Sequence, residues 1–304
     1  MKKNKFLIML ITLLILTTGC TKRFVDETSE KQYTKNILCQ PTTEEVKKIY
    51  IDNEETTKVN IDKLSECDDF KINEGGYEGL WTSLFVKPLA WLIIKLGLVV
   101  KNYGISIMLL GILLRILMIP MSKKSMSMNE NMKKAKPELD KLERKYRNKT
   151  DQQSMMMKSQ EMMMIYKKYN ISPVSSCLVA FIQLPILFAF LEAIQRIPVI
   201  FEEKLLIFDL GKTPLEGINS GNYYYIILVI MIILTTYLSF KNVNMNSLDE
   251  QQEKQMKFMN IFMVGFISIA SFSLPTALAL YWIVSSGFAV IQNYIQKLLM
   301  KNKK

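Results

Sequence analysis

Apolar and polar residues are segregated into long blocks along this chain. Five apolar blocks, at about 104–121, 173–197, 223–240, 258–274 and 276–296, each approach the roughly 20 residues that an α-helix needs to cross a bilayer. Pro275 separates the last two and predicts a tight hairpin between them. A sixth block, Leu80 to Val100, carries Lys87, Pro88 and Lys95 in its interior. That pattern predicts an amphipathic helix over 80–101 lying in the membrane interface rather than a further span. Between the first two spans, Met128, Met132, Ala135, Leu139, Leu142 and Tyr146 recur in steps of four and three, the spacing of one helical seam. Asn148 to Asp151 breaks the pattern, and Met155, Met162, Tyr166 and Tyr169 take up a compatible spacing up to Ser172-Pro173. The polar segment 122–172 is therefore read as an antiparallel helical hairpin. The fold class is an all-α polytopic membrane protein with five transmembrane helices and a cytoplasmic hairpin in the first long loop.

The N-terminus has the layout of a processing signal. Lys2, Lys3 and Lys5 precede an apolar stretch, Phe6 to Leu16, which is too short to span comfortably. Thr17-Thr18-Gly19-Cys20 resembles a lipoprotein cleavage box, which predicts a signal peptide over 1–19 and lipidation, as by palmitate, of Cys20. Thr17 stands where leucine is usual, so ordinary cleavage and an uncleaved anchor remain alternatives. Residues 20–79 form a tether or a small extracytoplasmic module. The part from Thr21 to Gly79 holds nine Lys/Arg against fourteen Asp/Glu. Cys39 and Cys67 fall in a compartment where a disulfide persists, and two unpaired thiols remain the alternative.

Charge orients the spans. The segment 122–172 holds thirteen Lys/Arg against six Asp/Glu, whereas 198–222 holds two Lys against four acids. The positive-inside rule places the first in the cytoplasm and the second outside. Lys241, Lys254 and Lys257 mark a second cytoplasmic loop, and the basic tail 299–304 puts the C-terminus inside with the N-terminus outside. The net charge of +11 lies mainly in segments flanking apolar blocks, so direct DNA binding is not expected. With no His among 304 residues, imidazole catalysis and histidine metal sites are excluded. Four scattered Cys without CxxC spacing offer no zinc or redox motif. No catalytic residue, metal or cofactor is predicted, and the chain is not read as an enzyme.

One charge stands out. Arg115 is the only charged residue among the eighteen from Gly104 to Met121. At the centre of an inserting helix it costs about 2.5–3.5 kcal/mol on insertion scales, and intramembrane arginines are functional candidates by default. The bland alternative is snorkelling toward Ser122-Lys123-Lys124, roughly 10 Å away at about 1.5 Å per residue. The hairpin is also rich in methionine. Met155-Met156-Met157 and Met162-Met163-Met164 cannot all face one seam, since consecutive helical residues point about 100° apart. Met156, Met157, Met163 and Met164 are therefore candidate contacts for a substrate or partner, against plain packing and membrane-surface contact. Glu192 and Arg196, spaced i, i+4, read as a surface salt pair, and Tyr223 to Tyr225 with Trp81 and Trp91 read as headgroup anchors. Tyr281 is read instead as packing between helices.

Three stretches carry a family resemblance: Tyr103 to Pro120 with its arginine, Ile182-Gln183-Leu184-Pro185, and Leu274-Pro275-Thr276 through Ser285. With the charged hairpin and the lipoprotein-like start, they resemble the YidC/Oxa/Alb membrane protein insertases in the five-span, Gram-positive-type form. The resemblance covers about Trp81 to Leu298. It departs from the family pattern at Ser175-Ser176-Cys177, Val264 and Ala277, positions that bear on helix bends and close packing. What it implies is helices around a hydrophilic groove open to the cytoplasm, with Arg115, Trp282 and Gln183 lining it. It also implies nascent membrane proteins and membrane lipids as partners, with the Sec translocon and translating ribosomes as further candidates. A secondary transporter using Arg115 as its site is the competing function, disfavoured by the lack of internal repeats. A lipoprotein-anchored scaffold is the third.

Overall fold

The computed structural model describes residues 21, 23–25, 32–149, 151–172, 185–241 and 250–301. The signal-like start with Cys20, and Gln183, lie outside the described residues. In chain order, the principal elements are β1 (Arg23–Val25) and β2 (Gln32–Thr34), then α1 (Glu44–Asp52), α2 (Glu54–Thr57), α3 (Lys87–Val100) and α4 (Tyr103–Leu117). There follow α5 (Ile119–Tyr146), α6 (Gln152–Lys168), α7 (Pro185–Gln195) and α8 (Pro198–Glu202), then β3 (Lys204–Leu205) and β4 (Phe208–Asp209). The chain closes with α9 (Pro214–Asn219), α10 (Tyr225–Lys241), α11 (Glu250–Ala270) and α12 (Thr276–Lys301). The described residues fall into two compact units. One lies within Met1–Gly111, Gln183–Leu228 and Ser273–Trp282, the other within Ile112–Ile182, Val229–Phe272 and Ile283–Lys304.

In the first unit, the described residues between 21 and 79 fold into a small module. β1 pairs antiparallel with β2, and Phe24, Ile37, Tyr50 and Ile61 form its core. A disulfide joins Cys39 to Cys67, which settles the pairing left open by the sequence. A π-helical segment, Thr82–Val86, leads into α3. Together Thr82–Val100 is long and apolar enough to cross a membrane, so length alone does not separate an interfacial helix from a span. α3 folds back onto α4 through a left-handed residue, Lys101 at φ 55°. Gly97 makes that return possible: a Cβ there would stand 2.5 Å from the Tyr103 ring. Ser106 Oγ then donates to the carbonyl of Ile93 at 2.6 Å.

A charge cluster that the apolar pattern concealed also belongs to this unit. Glu192 and Arg196, expected as a surface salt pair, are 5% and 2% exposed, which corrects that reading. Arg196 Nη2 donates to Glu78 Oε2 at 2.6 Å, and its Nε donates to the carbonyl of Asn36 at 2.6 Å. Its Nη1 stands 3.5 Å from Glu192 Oε1, an ion pair too long for a good hydrogen bond. Trp81, expected at the headgroups, donates its indole N–H to Glu192 Oε2 at 2.9 Å. Lys87, in the apolar block, is 1% exposed and meets Glu78 Oε1 at 3.0 Å and the carbonyls of Glu74 and Gly76. Burial alone would raise the Glu78 carboxyl. The Arg196 charge and the hydrogen bonds from Lys87 and Arg196 instead bring it below its ordinary value of 4.5. Buried charges persist only when compensated in this way.

The second unit contains the hairpin. Met128, Ala135, Leu139, Leu142 and Tyr146 of α5 are all buried, as the seam spacing predicts. Of these, Ala135 and Leu139, together with Met132, pack against Met162, Ile165 and Tyr166 of α6 and against Tyr169 and Ile171 just beyond it. Asp151 caps α6 by accepting from the Ser154 N–H at 2.8 Å. Lys145 and Tyr146 meet Glu161, while Lys168 and Tyr169 meet Glu138, and this order is that of antiparallel helices. Met155 departs from the predicted seam and is 56% exposed. It lies about 9 Å beyond Glu161 at 1.5 Å per residue, past the level at which α5 ends, so no residue of α5 lies opposite it.

Among the described residues, Thr82–Val100 and Thr276–Gln296 are helices long and apolar enough to cross a membrane. The pair α4 and α5 qualifies as a third if it is one broken span, and Pro185–Gln195, Tyr225–Phe240 and Asn260–Ala270 are shorter apolar helices. The break at Met118 precedes Pro120 at the start of α5, where the missing N–H and the ring disfavour an unbroken helix. α11 ends at Ala270, four residues short of the predicted 274, and the turn before Pro275 takes up the difference.

Two outcomes follow. Arg196→Ala leaves Glu192 buried without its cation and should destabilise the first unit by about 3–5 kcal/mol, whereas Glu192→Gln should cost much less; thermal unfolding in detergent checks the ranking. The Lys168 hydrogen bond to Glu138, and the Lys145 hydrogen bond to Glu161, hold those carboxyls below their ordinary 4.5. A depressed folded-state value means that their contribution is complete above pH 4.5 and is lost as pH falls below it. Hydrogen-exchange protection of α5 and α6, corrected for intrinsic rates, should therefore fall on acidification, and less so in the Glu138→Gln, Glu161→Gln double variant.

Candidate functional site

α4 is apolar for most of its length because nearly every residue from Gly104 to Leu117 is aliphatic, small or Met. Its Ile105, Leu109, Leu113 and Ile116 are exposed and recur at steps of four, four and three, so they line one face of the helix. Among the described residues that face is apolar and uncovered. Arg115 lies off this stripe and is half-buried. Its Nε donates to Ser285 Oγ at 2.7 Å, and Ser285, on α12, is only 3% exposed. Both residues belong to the second unit.

The hydrogen bond has a specific consequence. A guanidinium is planar and carries five N–H donors in a fixed fork. A hydroxyl on Nε restrains the plane of the fork and lowers the cost of holding the charge away from bulk water. Such a group can attract and release carboxylates by charge-assisted, bidentate hydrogen bonds. It cannot exchange protons near neutral pH, because arginine stays protonated. The arrangement suits reversible recognition of acidic groups.

In the first unit the same two helices are closely fitted. A Cβ at Gly111 would stand 3.1 Å from Tyr281 Cδ2, and the Tyr281 ring stacks on Phe190 with centroids 4.2 Å apart. Tyr281, at 2% exposure, is thus a packing residue between helices. Tyr225, expected as a headgroup anchor, is likewise buried. Its hydroxyl accepts from the Asp209 N–H at 2.9 Å, and its ring meets Phe208 edge-on. Tyr223 is exposed.

Trp282 is half-buried on α12, three residues before Ser285. Gln183 and Cys20 lie outside the described residues. Met156, Met157, Met163 and Met164 are all exposed on α6, so the packed seam does not use them. Ser285 was not singled out from the sequence. The signal available was the Ser285-Ser286 pair in the mainly apolar first half of the helix that follows the Leu-Pro start, and the pairing of Ser285 with Arg115 required the fold. Glu78 and Lys87 were likewise missed, since only the anomaly of a lysine inside an apolar block marked them. No group of three or more His, Cys, Asp or Glu able to hold a metal occurs among the described residues.

Comparison with known proteins agrees with this frame. Residues 95–303 match the family model described as "60Kd inner membrane protein". The membrane protein insertase YidC of Alkalihalophilus pseudofirmus is 36% identical over 224 residues, covering 71% of this chain and 82% of that protein. MisCA of Bacillus subtilis, also named a membrane protein insertase, is 35% identical over 219 residues, covering 71% and 79%. YidC of Oceanobacillus iheyensis is 33% identical over 250 residues, covering 79% and 93%. The crystal structure of an active YidC insertase with its first transmembrane domain resolved shares the fold at a TM-score of 0.51 and 22% identity. The match covers 82% of this chain, and the chain spans about half, 52%, of the length of that structure. The mostly helical fold, the apolar helices and the matched core together make this chain a member of the YidC/Oxa/Alb family of membrane protein insertases.

Proposed function

We propose that this integral cell-membrane insertase moves polar segments of newly made membrane proteins past the hydrocarbon barrier by offering them Arg115 as an electrostatic handhold. The observation that carries the reading is the Arg115–Ser285 hydrogen bond at 2.7 Å within an otherwise apolar helix. An incoming acidic tail exchanges water for the guanidinium, while the apolar helix of the same substrate leaves toward lipid. The family resemblance assigns Arg115, Trp282 and Gln183 to a groove open to the cytoplasm, and a hydrated groove lowers the cost of keeping the charge in the membrane. No covalent bond changes, so the process is facilitated transfer.

The topology that goes with this reading has five spans, the first within α4 and the last within α12. The hairpin of α5 and α6 projects into the cytoplasm with its exposed methionines, where flexible thioethers suit varied apolar segments. The module at 21–79 lies outside, with Cys20 as its lipid anchor, and the C-terminus lies in the cytoplasm. The segment 80–101 lies in the outer interface. Support comes from Lys87 and Lys95, whose ammonium groups bond to Glu78 and to the backbone carbonyls of Glu74, Gly76 and Asp68. A helix tied through two lysines to an aqueous module is held at the surface more readily than across the core. The Sec translocon and the translating ribosome are partners consistent with handling nascent chains.

Depletion of the endogenous protein, with complementation by variants, tests the role of Arg115. Insertion of a small substrate with an acidic exported tail should persist in Arg115→Lys and fall severely in Arg115→Ala. Ser285→Ala should give a partial loss, because it removes one hydrogen bond to a charged group, worth about 1.5–3 kcal/mol. Normal insertion of every acidic-tailed substrate by Arg115→Ala contradicts the handhold.

A further inference from the structure

The hairpin formed by β3 and β4 ends in a two-residue turn of unusual chemistry. Leu205 pairs with Phe208, so Leu206 and Ile207 alone close the loop. Two-residue hairpin turns are normally built from glycine, asparagine or aspartate, because at least one position takes positive φ. Here Leu206 holds that position at φ 55°. A β-carbon disfavours this conformation by roughly 1–2 kcal/mol. Leu206 recovers none of that cost by packing, since it is 87% exposed, and Ile207 is 55% exposed. A strained, exposed, apolar tip calls for a partner outside the chain.

The base of the hairpin is firmly held, so the tip is a presented feature. Lys204 and Lys212 both pair with Asp209, at 3.1 and 2.9 Å, and Phe208 packs edge-on against Tyr224 and Tyr225. Its depth is set by α4. Glu203 Oε2 accepts from the N–H of Tyr103, the first residue of α4, at 2.9 Å, and Asn102 donates to the carbonyl of Lys204 at 3.1 Å. Gly104 leaves room for Leu205: a Cβ at 104 would stand 2.9 Å from the Leu205 Cβ. The turn therefore begins one residue from a contact with the first helical turn of α4, next to the start of the exposed stripe Ile105 and Leu109.

We infer that Leu206 and Ile207 insert into the acyl-chain region of the outer leaflet. The inference rests on the orientation proposed above, in which the start of α4 lies at the outer face. The apolar tip continues the lipid-facing stripe of α4, while Lys204, Asp209 and Lys212 remain at headgroup depth. Acyl chains are the occupant that accepts two adjacent aliphatic side chains without requiring a shaped pocket. The finger thereby anchors the segment between the second and third spans to the leaflet through which a translocated tail must emerge.

The test uses the full-length protein in cells, with a photoreactive benzophenone amino acid at position 206 or 207, or at Glu216 as an exposed polar control. Irradiation and mass spectrometry should give phospholipid adducts at 206 and 207, at least several-fold above those at 216. A further variant, Leu206→Asn, suits positive φ and should fold at least as stably while reducing lipid adducts at 207. Adducts only with protein, or yields equal to those at 216, overturn the inference. Glu216→Cys, probed in intact cells with a membrane-impermeant maleimide, reports on the orientation separately. Labelling from outside supports it. Protection in intact cells with labelling only after lysis overturns the orientation, and with it the outer-leaflet assignment, irrespective of the adducts.

Discussion

A guanidinium within an apolar helix is the constraint around which the rest of this molecule is organised. Arg115 interrupts α4, and an unmatched cation there would oppose insertion. Ser285, nearly fully buried on α12, supplies an acceptor at 2.7 Å. The hydroxyl restrains the plane of the guanidinium fork and lowers the cost of holding its charge away from bulk water. In the proposed function, the guanidinium oriented in this way attracts acidic groups of a passing chain by charge-assisted hydrogen bonds.

The cluster in the first unit buries charges against one another. Glu78, Lys87, Glu192 and Arg196 compensate one another within a small volume, joined by Trp81 and the Asn36 carbonyl. Two acids and two bases at this spacing leave little field for a ligand. They tie the module at 21–79 to α3 and to the end of α7. The disulfide between Cys39 and Cys67 strengthens the module by restricting its unfolded state. This set of charges thus holds elements of the first unit together.

The parts of this fold legible in sequence were those governed by periodicity. The α5 seam from Met128 to Tyr146 follows from helical spacing alone, because seam contact depends mainly on the angle between residues. Met155 satisfied the same spacing and yet lies exposed, since burial also requires a partner helix at that level. Glu192 and Arg196 were misread for a related reason. An i, i+4 pair defines a shared face but not what covers it, and here Asn36, Glu78 and Trp81 arrive from far earlier in the chain. Tyr225 shows the same limit, with Phe208 and Asp209 covering a ring that composition alone assigned to the headgroups. Arg115 was conspicuous because charge is rare in apolar blocks. Ser285 was not, because serine is tolerated in membrane helices and its role depends on a neighbour 170 residues away.

The most direct test of the account follows the substrate. A ribosome-bound chain with an acidic exported tail, stalled during insertion and carrying a photoreactive residue within that tail, should form adducts on α4 around Arg115 and on α12 around Ser285. Neutralising the acidic residues of the tail should reduce those adducts several-fold. Adducts that are independent of tail charge, or that lie entirely elsewhere on the protein, would contradict the role given to Arg115.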